Sequence, residues 1–104
     1  MENEFCQIII SATAKQEADK ISDLLVNKKL IAGSLILKGP ARYWWEGNIV
    51  EKEYYNIQTF SLIKNKEQII KEVKKIHSDK CPIIVFIKID GNKDFLDWIK
   101  SSVI

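Results

Sequence analysis

Ile49-Val50-Glu51-Lys52-Glu53-Tyr54-Tyr55-Asn56-Ile57-Gln58-Thr59-Phe60-Ser61-Leu62-Ile63-Lys64 is the run from which the architecture follows. It holds no Gly and no Pro and is rich in β-branched and aromatic residues, so it reads as one very long strand. Side chains alternate along a strand. Ile49, Tyr55, Ile57 and Ile63 fall on one face, and Val50, Tyr54, Phe60 and Leu62 on the other, so both faces are partly apolar. A strand of ~15 residues at roughly 3.3 Å each spans about 50 Å. A compact chain of this length has a diameter of only roughly 33 Å. The ribbon must bend or project, and a projecting apolar ribbon needs a neighbour to cover it by strand addition.

Working backwards, Glu46-Gly47-Asn48 reads as a hairpin turn. It is preceded by a strand over 31–38, an interruption at Gly39-Pro40 expected as a bulge or an edge, and a resumption over 41–45. Thr13-Ala14-Lys15-Gln16 is a capping-box pattern. It opens a helix with Ala18, Ile21, Leu24 and Leu25 on its apolar side, ending near 27–29. Before it, 5–11 is a strand centred on Ile8-Ile9-Ile10. After the long strand, Asn65-Lys66-Glu67-Gln68 repeats the capping pattern, and Ile69, Ile70, Val73 and Ile76 point inward. A turn over 77–82, a strand over 83–87 and a short helix with Phe95, Leu96, Trp98 and Ile99 complete the chain. The order βαββαβ plus a helix predicts an α+β, ferredoxin-like fold: one domain over 1–104 with an antiparallel sheet, a long hairpin and an extra C-terminal helix. The continuous apolar runs place the first and last strands in the middle of the sheet.

The 104 residues are 46% hydrophobic and 29% charged, with 16 basic and 14 acidic side chains and a net charge of +2. That balance excludes a basic nucleic-acid tail and an acidic disordered segment. Arg42 is the sole arginine, so bidentate phosphate recognition is nearly absent. Neither nucleic acid nor membrane is expected as a partner, and no apolar run approaches the ~18 residues of a span. Met1-Glu2-Asn3-Glu4 lacks the basic start of a signal peptide, and Cys6 and Cys81 read as reduced thiols, so a cytosolic location is expected. No phosphate loop, nucleophile elbow or Ser-His-Asp order is present, and the expectation is that the protein is not an enzyme.

Thr13-Ala14, Lys29-Leu30-Ile31-Ala32, Tyr43-Trp44-Trp45-Glu46-Gly47, Leu62-Ile63-Lys64, His77 with Pro82, and Gly91-Asn92 with Phe95-Leu96-Asp97-Trp98 occur in an order and spacing that resemble the CutA family of divalent-cation tolerance proteins. The resemblance implies a homotrimer built at the sheet edges and a role in tolerance to copper and other divalent metals. It also implies a likeness to the trimeric PII signalling proteins, which bind effectors in clefts between subunits. Gly33 and Leu35 stand where the family commonly has Cys and Asn, and of a copper site proposed in the family only His77 has its counterpart here.

On this basis His77 and Cys81 are the candidate metal ligands, for copper or zinc, with no metal required for folding. Lys64, beside a helix N-terminus that suits an anion, joins Tyr43 and Trp45 as candidate cleft residues. Tyr43, Trp44, Trp45, Tyr54, Tyr55 and Trp98 are the expected trimer anchors, because Tyr and Trp supply large amphipathic contact area. Divalent-metal binding and tolerance is the expected function. The alternatives are a PII-like trimer for a small anionic effector and a non-catalytic trimeric scaffold for a partner protein.

Overall fold

A computed structural model describes residues 4–104. The elements are β1 (Phe5–Ala12), α1 (Lys15–Asn27), β2 (Ser34–Trp45), β3 (Asn48–Leu62), a 3-10 turn (Ile63–Asn65), α2 (Lys66–Ile76), β4 (Ile84–Lys88) and α3 (Lys93–Ser102). They form an α+β, ferredoxin-like fold around one antiparallel sheet in the order β2-β3-β1-β4. β1 is central as expected, but its other inner neighbour is β3, and β4 lies at the edge. The long strand pairs on both sides, with β1 over its second half and with β2 along nearly all of it. The apolar run of β4 thus reflects two half-covered faces: Val85 and Ile87 remain exposed.

The long strand runs without interruption over 48–62, and β2 pairs with it in constant register from Ser34↔Thr59 to Trp45↔Asn48. There is no bulge at Gly39-Pro40. Pro40 faces Glu53 on an edge strand, where its missing N–H interrupts no second ladder. The turn is two residues, Glu46 and Gly47, both with positive φ (49° and 82°), the conformation that matches the twist of a tight hairpin. The ribbon projects, and the molecule measures 44 × 24 × 22 Å.

One sheet face carries the helices. Cys6, Ile8, Ile10 and Ala12 of β1 and Ile57 of β3 pack against Ala18, Ile21 and Leu25 of α1 and Ile69 and Val73 of α2. Two polar residues of β3 enter this layer with their hydrogen bonds made: Ser61 donates to the Leu30 carbonyl at 2.6 Å and Thr59 to that of Gly33. These bonds fix the α1–β2 connection. Just before it, α1 ends in a Schellman motif. The Leu30 N–H bonds the Leu25 carbonyl, the Lys29 N–H bonds that of Val26, and Lys29 takes the left-handed conformation at φ 58°.

Neither capping pattern acts as the sequence suggests. α1 begins one residue later, and Glu17 rather than Gln16 reaches back to Thr13. Asn65 flanks α2, but its side chain donates to Ser61 Oγ and the Ile104 carbonyl instead of capping.

The opposite sheet face is largely bare. α3 covers one end, where Phe60, Phe95 and Trp98 stack. Elsewhere Leu35 (59% exposed) and Leu37 on β2 and Val85 and Ile87 on β4 stand exposed on this face, with half-buried Ile9 beside Val85 and the polar Gln58 and Asn56 of β3 between the two groups.

Candidate functional site

The polar side chains converge where the α2–β4 loop meets the end of β1. α2 ends at His77, whose imidazole is only 1% exposed. Its Nε2 donates to the Ser11 carbonyl at 2.6 Å, and its Nδ1 accepts the Asp79 N–H at 3.0 Å. This network assigns the neutral Nε2–H tautomer. The Ser11 hydroxyl in turn accepts the Ile83 N–H at 2.9 Å.

Glu17 braces the same loop from α1. Its carboxylate accepts the Thr13 N–H at 2.8 Å, the Thr13 hydroxyl at 3.0 Å and the Ser78 N–H at 2.7 Å. Burial alone would raise its pKa, but these bonds to Thr13 and Ser78 outweigh burial and hold the carboxyl at about 2. Tyr54 approaches from the ribbon. Its hydroxyl donates to Asp79 Oδ2 at 2.9 Å and accepts from the Tyr43 hydroxyl at 3.2 Å, the two rings meeting edge to face. Burial, then the hydrogen bonds to Tyr43 and Asp79 and the Asp79 charge, raise the Tyr54 phenol far above its ordinary range.

This geometry revises the expected ligand pair. Both nitrogens of His77 are occupied and the ring is enclosed, so it does not present a donor atom to a metal in this conformation. Cys81 is exposed and Cys6 is buried; both are free thiols. Among the described residues no group of three or more His, Cys, Asp or Glu side chains is placed to hold a metal ion. A copper or zinc site needs several convergent donors, and the described residues of one chain do not supply them.

The expected cleft residues also separate. Lys64 is exposed in the 3-10 turn beyond the end of β3, whereas Tyr43 and Trp45 pair with Val50 and Asn48 near its start. Along one chain they lie roughly 40 Å apart. The aromatic anchors divide as well. Tyr43, Trp45 and Tyr54 lie on the bare-face side of the ribbon, while Trp44 (72% exposed) and Tyr55 lie on the helix side. Tyr55 packs on the core, and Trp98 sits on α3 near the opposite end of β3, against Gly33.

Glu17, Ser78, Asp79 and Ser11 were not singled out in the sequence. An acidic residue in the first turn of a helix, four positions after a Thr, was the available signal for Glu17.

The model of the family described as CutA1 divalent ion tolerance protein matches residues 6–102. The chain belongs to that family. The divalent-cation tolerance protein CutA of Archaeoglobus fulgidus is 35% identical over 97 residues, covering 92% of this chain and 95% of the relative. That of Pyrococcus horikoshii is 30% identical, covering 81% and 83%. A solved structure of the Archaeoglobus protein superposes with a TM-score of 0.91 at 33% identity, covering 94% of this chain and 97% of that one. The CutA1 structure from the psychrotrophic Shewanella sp. SIB1, with a TM-score of 0.92 at 24% identity, covers 99% and 98% and shares the fold. The Archaeoglobus structure is described as a periplasmic protein. This overturns the cytosolic placement expected above. A short acidic start carries no compartment information, and residues 1–3 of it lie outside the described residues. Among the described residues, no helix is long and apolar enough to cross a membrane.

Proposed function

We propose that this CutA1-family chain serves divalent-cation tolerance as a homotrimer that binds a ligand without turning it over. The observation that supports the reading is the bare sheet face. Leu35 and Leu37 on β2 and Val85 and Ile87 on β4 are all exposed on it, with Ile9 between Gln58 and Val85, and exposed apolar side chains gathered on one face mark an interaction site. The projecting ribbon, whose β2 arm is an edge strand, supplies the means for neighbouring copies to pair. The metal is cargo in this reading, with copper and zinc the expected ions. Among the described residues no group of three or more donors is placed to hold an ion; in this reading the donors come from more than one copy. Lys64 makes no ion pair among the described residues and lies beside the first N–H groups of α2. That favours, as a second reading, a small anionic effector in the same shared cleft.

Sedimentation across a dilution series tests the assembly; a well-folded single chain at every concentration rejects it. Calorimetry with Cu(II) and Zn(II) on the assembled protein, repeated on an assembly-breaking variant, tests the cargo. Binding that survives dissociation unchanged places the donors within one chain and rejects a shared site. A thermal-shift series with nucleotides and small acids, repeated on Lys64→Ala, tests the anion reading; no shift, or an undiminished one in the variant, rejects it.

A further inference from the structure

Asp79 joins two parts of the molecule that are distant in sequence. Its side chain accepts from Tyr54 of the ribbon, and its backbone N–H donates to the enclosed His77. His77 is bonded to the Ser11 carbonyl, and the Ser11 hydroxyl accepts from Ile83 at the far end of the loop. The chain of bonds Tyr43–Tyr54–Asp79–His77–Ser11–Ile83 therefore runs from the ribbon through the loop. Of these links only Tyr54–Asp79 depends on where the ribbon lies; Tyr43–Tyr54 is internal to the ribbon, and the remainder are internal to the β1 end and the loop. Glu17 holds the same loop independently through Ser78.

We propose that the Tyr54–Asp79 bond is a conformational tether that couples the seating of the ribbon against a neighbouring copy to the closure of the 77–83 loop. The coupling to a neighbour rests on the trimer reading above; the tether itself does not. The bistable element is the loop. It is closed when Asp79 is held by Tyr54, and it opens about its Glu17–Ser78 anchor when the ribbon moves. The consequence is a change in access to the enclosed end of β1 that depends on assembly.

Hydrogen exchange of the assembled protein reads this directly, because the Asp79 amide is bonded to His77 and the Ile83 amide to Ser11 of β1, one near each end of the loop. Tyr54→Phe keeps the ring and removes the donor. Exchange at Asp79 and Ile83 is expected to rise roughly ten- to a hundredfold, the effect of losing one hydrogen bond to a charged group. Amides of α1 and of β1 before Ser11 should keep their parent rates, whereas the Ser11 amide, which donates to the Ile83 carbonyl, should follow the loop. Asp79→Asn retains an oxygen acceptor and should restore most of the protection that Asp79→Ala loses. Unchanged exchange in Tyr54→Phe, or Asp79→Asn as unprotected as Asp79→Ala, overturns the tether. Dilution of the parent protein should reproduce the Tyr54→Phe pattern. A parent that dissociates with the loop still protected overturns the coupling. A parent that is a single chain throughout, with Tyr54→Phe still deprotected, rejects the trimer and the coupling and leaves the tether standing.

Discussion

Glu17 offers the sharpest energetic test, because one carboxylate joins the start of α1 to the α2–β4 loop. Its side chain is 11% exposed, and its pKa falls from 4.5 to about 2. At about 1.36 kcal/mol for each factor of ten in acidity, that lowering corresponds to about 3 kcal/mol of folding free energy. The folded pKa is depressed, so the folded state favours the ionised form. The contribution is complete above about pH 5 and is lost as pH falls through 4.5 towards 2. Glu17→Gln preserves the size of the side chain but leaves a single acceptor oxygen for Thr13 and Ser78 together. Urea unfolding followed by circular dichroism, at fixed chain concentration because assembly adds its own stability, gives the comparison. At pH 7 the variant should be less stable by about 1.5–3 kcal/mol, the range for a hydrogen bond to a charged group. Between about pH 5 and pH 2 the parent should lose stability faster than the variant, and the two curves should converge. Parallel curves over that interval, or a difference below about 0.5 kcal/mol at pH 7, would refute the brace.

Three further outcomes follow from the same geometry. Leu37→Asp places a charge on the bare sheet face and should shift the sedimentation profile towards the single chain while the circular dichroism spectrum is retained; an unchanged profile removes that face from the interface. His77→Ala removes a buried ring that makes two hydrogen bonds, and it should cost about 2–4 kcal/mol in urea unfolding while Cu(II) and Zn(II) heats stay at parent values. A selective loss of metal heat with stability intact would restore His77 as a ligand. Gly33→Ala sets a methyl 3.3 Å from Trp98 Cη2. Since Trp98 is itself exposed, the ring should yield, with a shifted tryptophan emission and a loss under about 1 kcal/mol; a larger loss would mean that α3 is held rigidly on the sheet.

The element types, the long hairpin and the appended helix were legible because each rests on a local signal: period-2 alternation along 49–64, helical spacing at Ala18, Ile21 and Leu25, and Gly47 at a turn. Strand order was legible only in part. The run Ile83-Ile84-Val85-Phe86-Ile87 resembles a strand buried on both sides, and nothing local records that a bare face awaits cover. The surroundings of the metal candidates were illegible for a related reason. Counting His and Cys ignores competing hydrogen bonds, and His77 is claimed by the backbones of Ser11 and Asp79, residues on either side of it in space and far apart in sequence. Glu17 was passed over because Gln16 completed a familiar motif one position earlier, and the actual start of α1 depends on contacts with Ser78 that no local window contains. The ribbon aromatics were found as a group, but strand parity divides them between two faces.

The unbroken pairing of the two arms constrains how this molecule can change length. A single inserted residue in either arm must be ejected as a bulge or carry everything beyond it to the other side, exchanging Leu35 and Leu37 with Ile36 and Lys38. Matched insertions in both arms near Glu46-Gly47 leave the body untouched and extend the reach by about 3.4 Å per added pair. The reach of the ribbon is thus adjustable in evolution or by engineering, but only in paired increments.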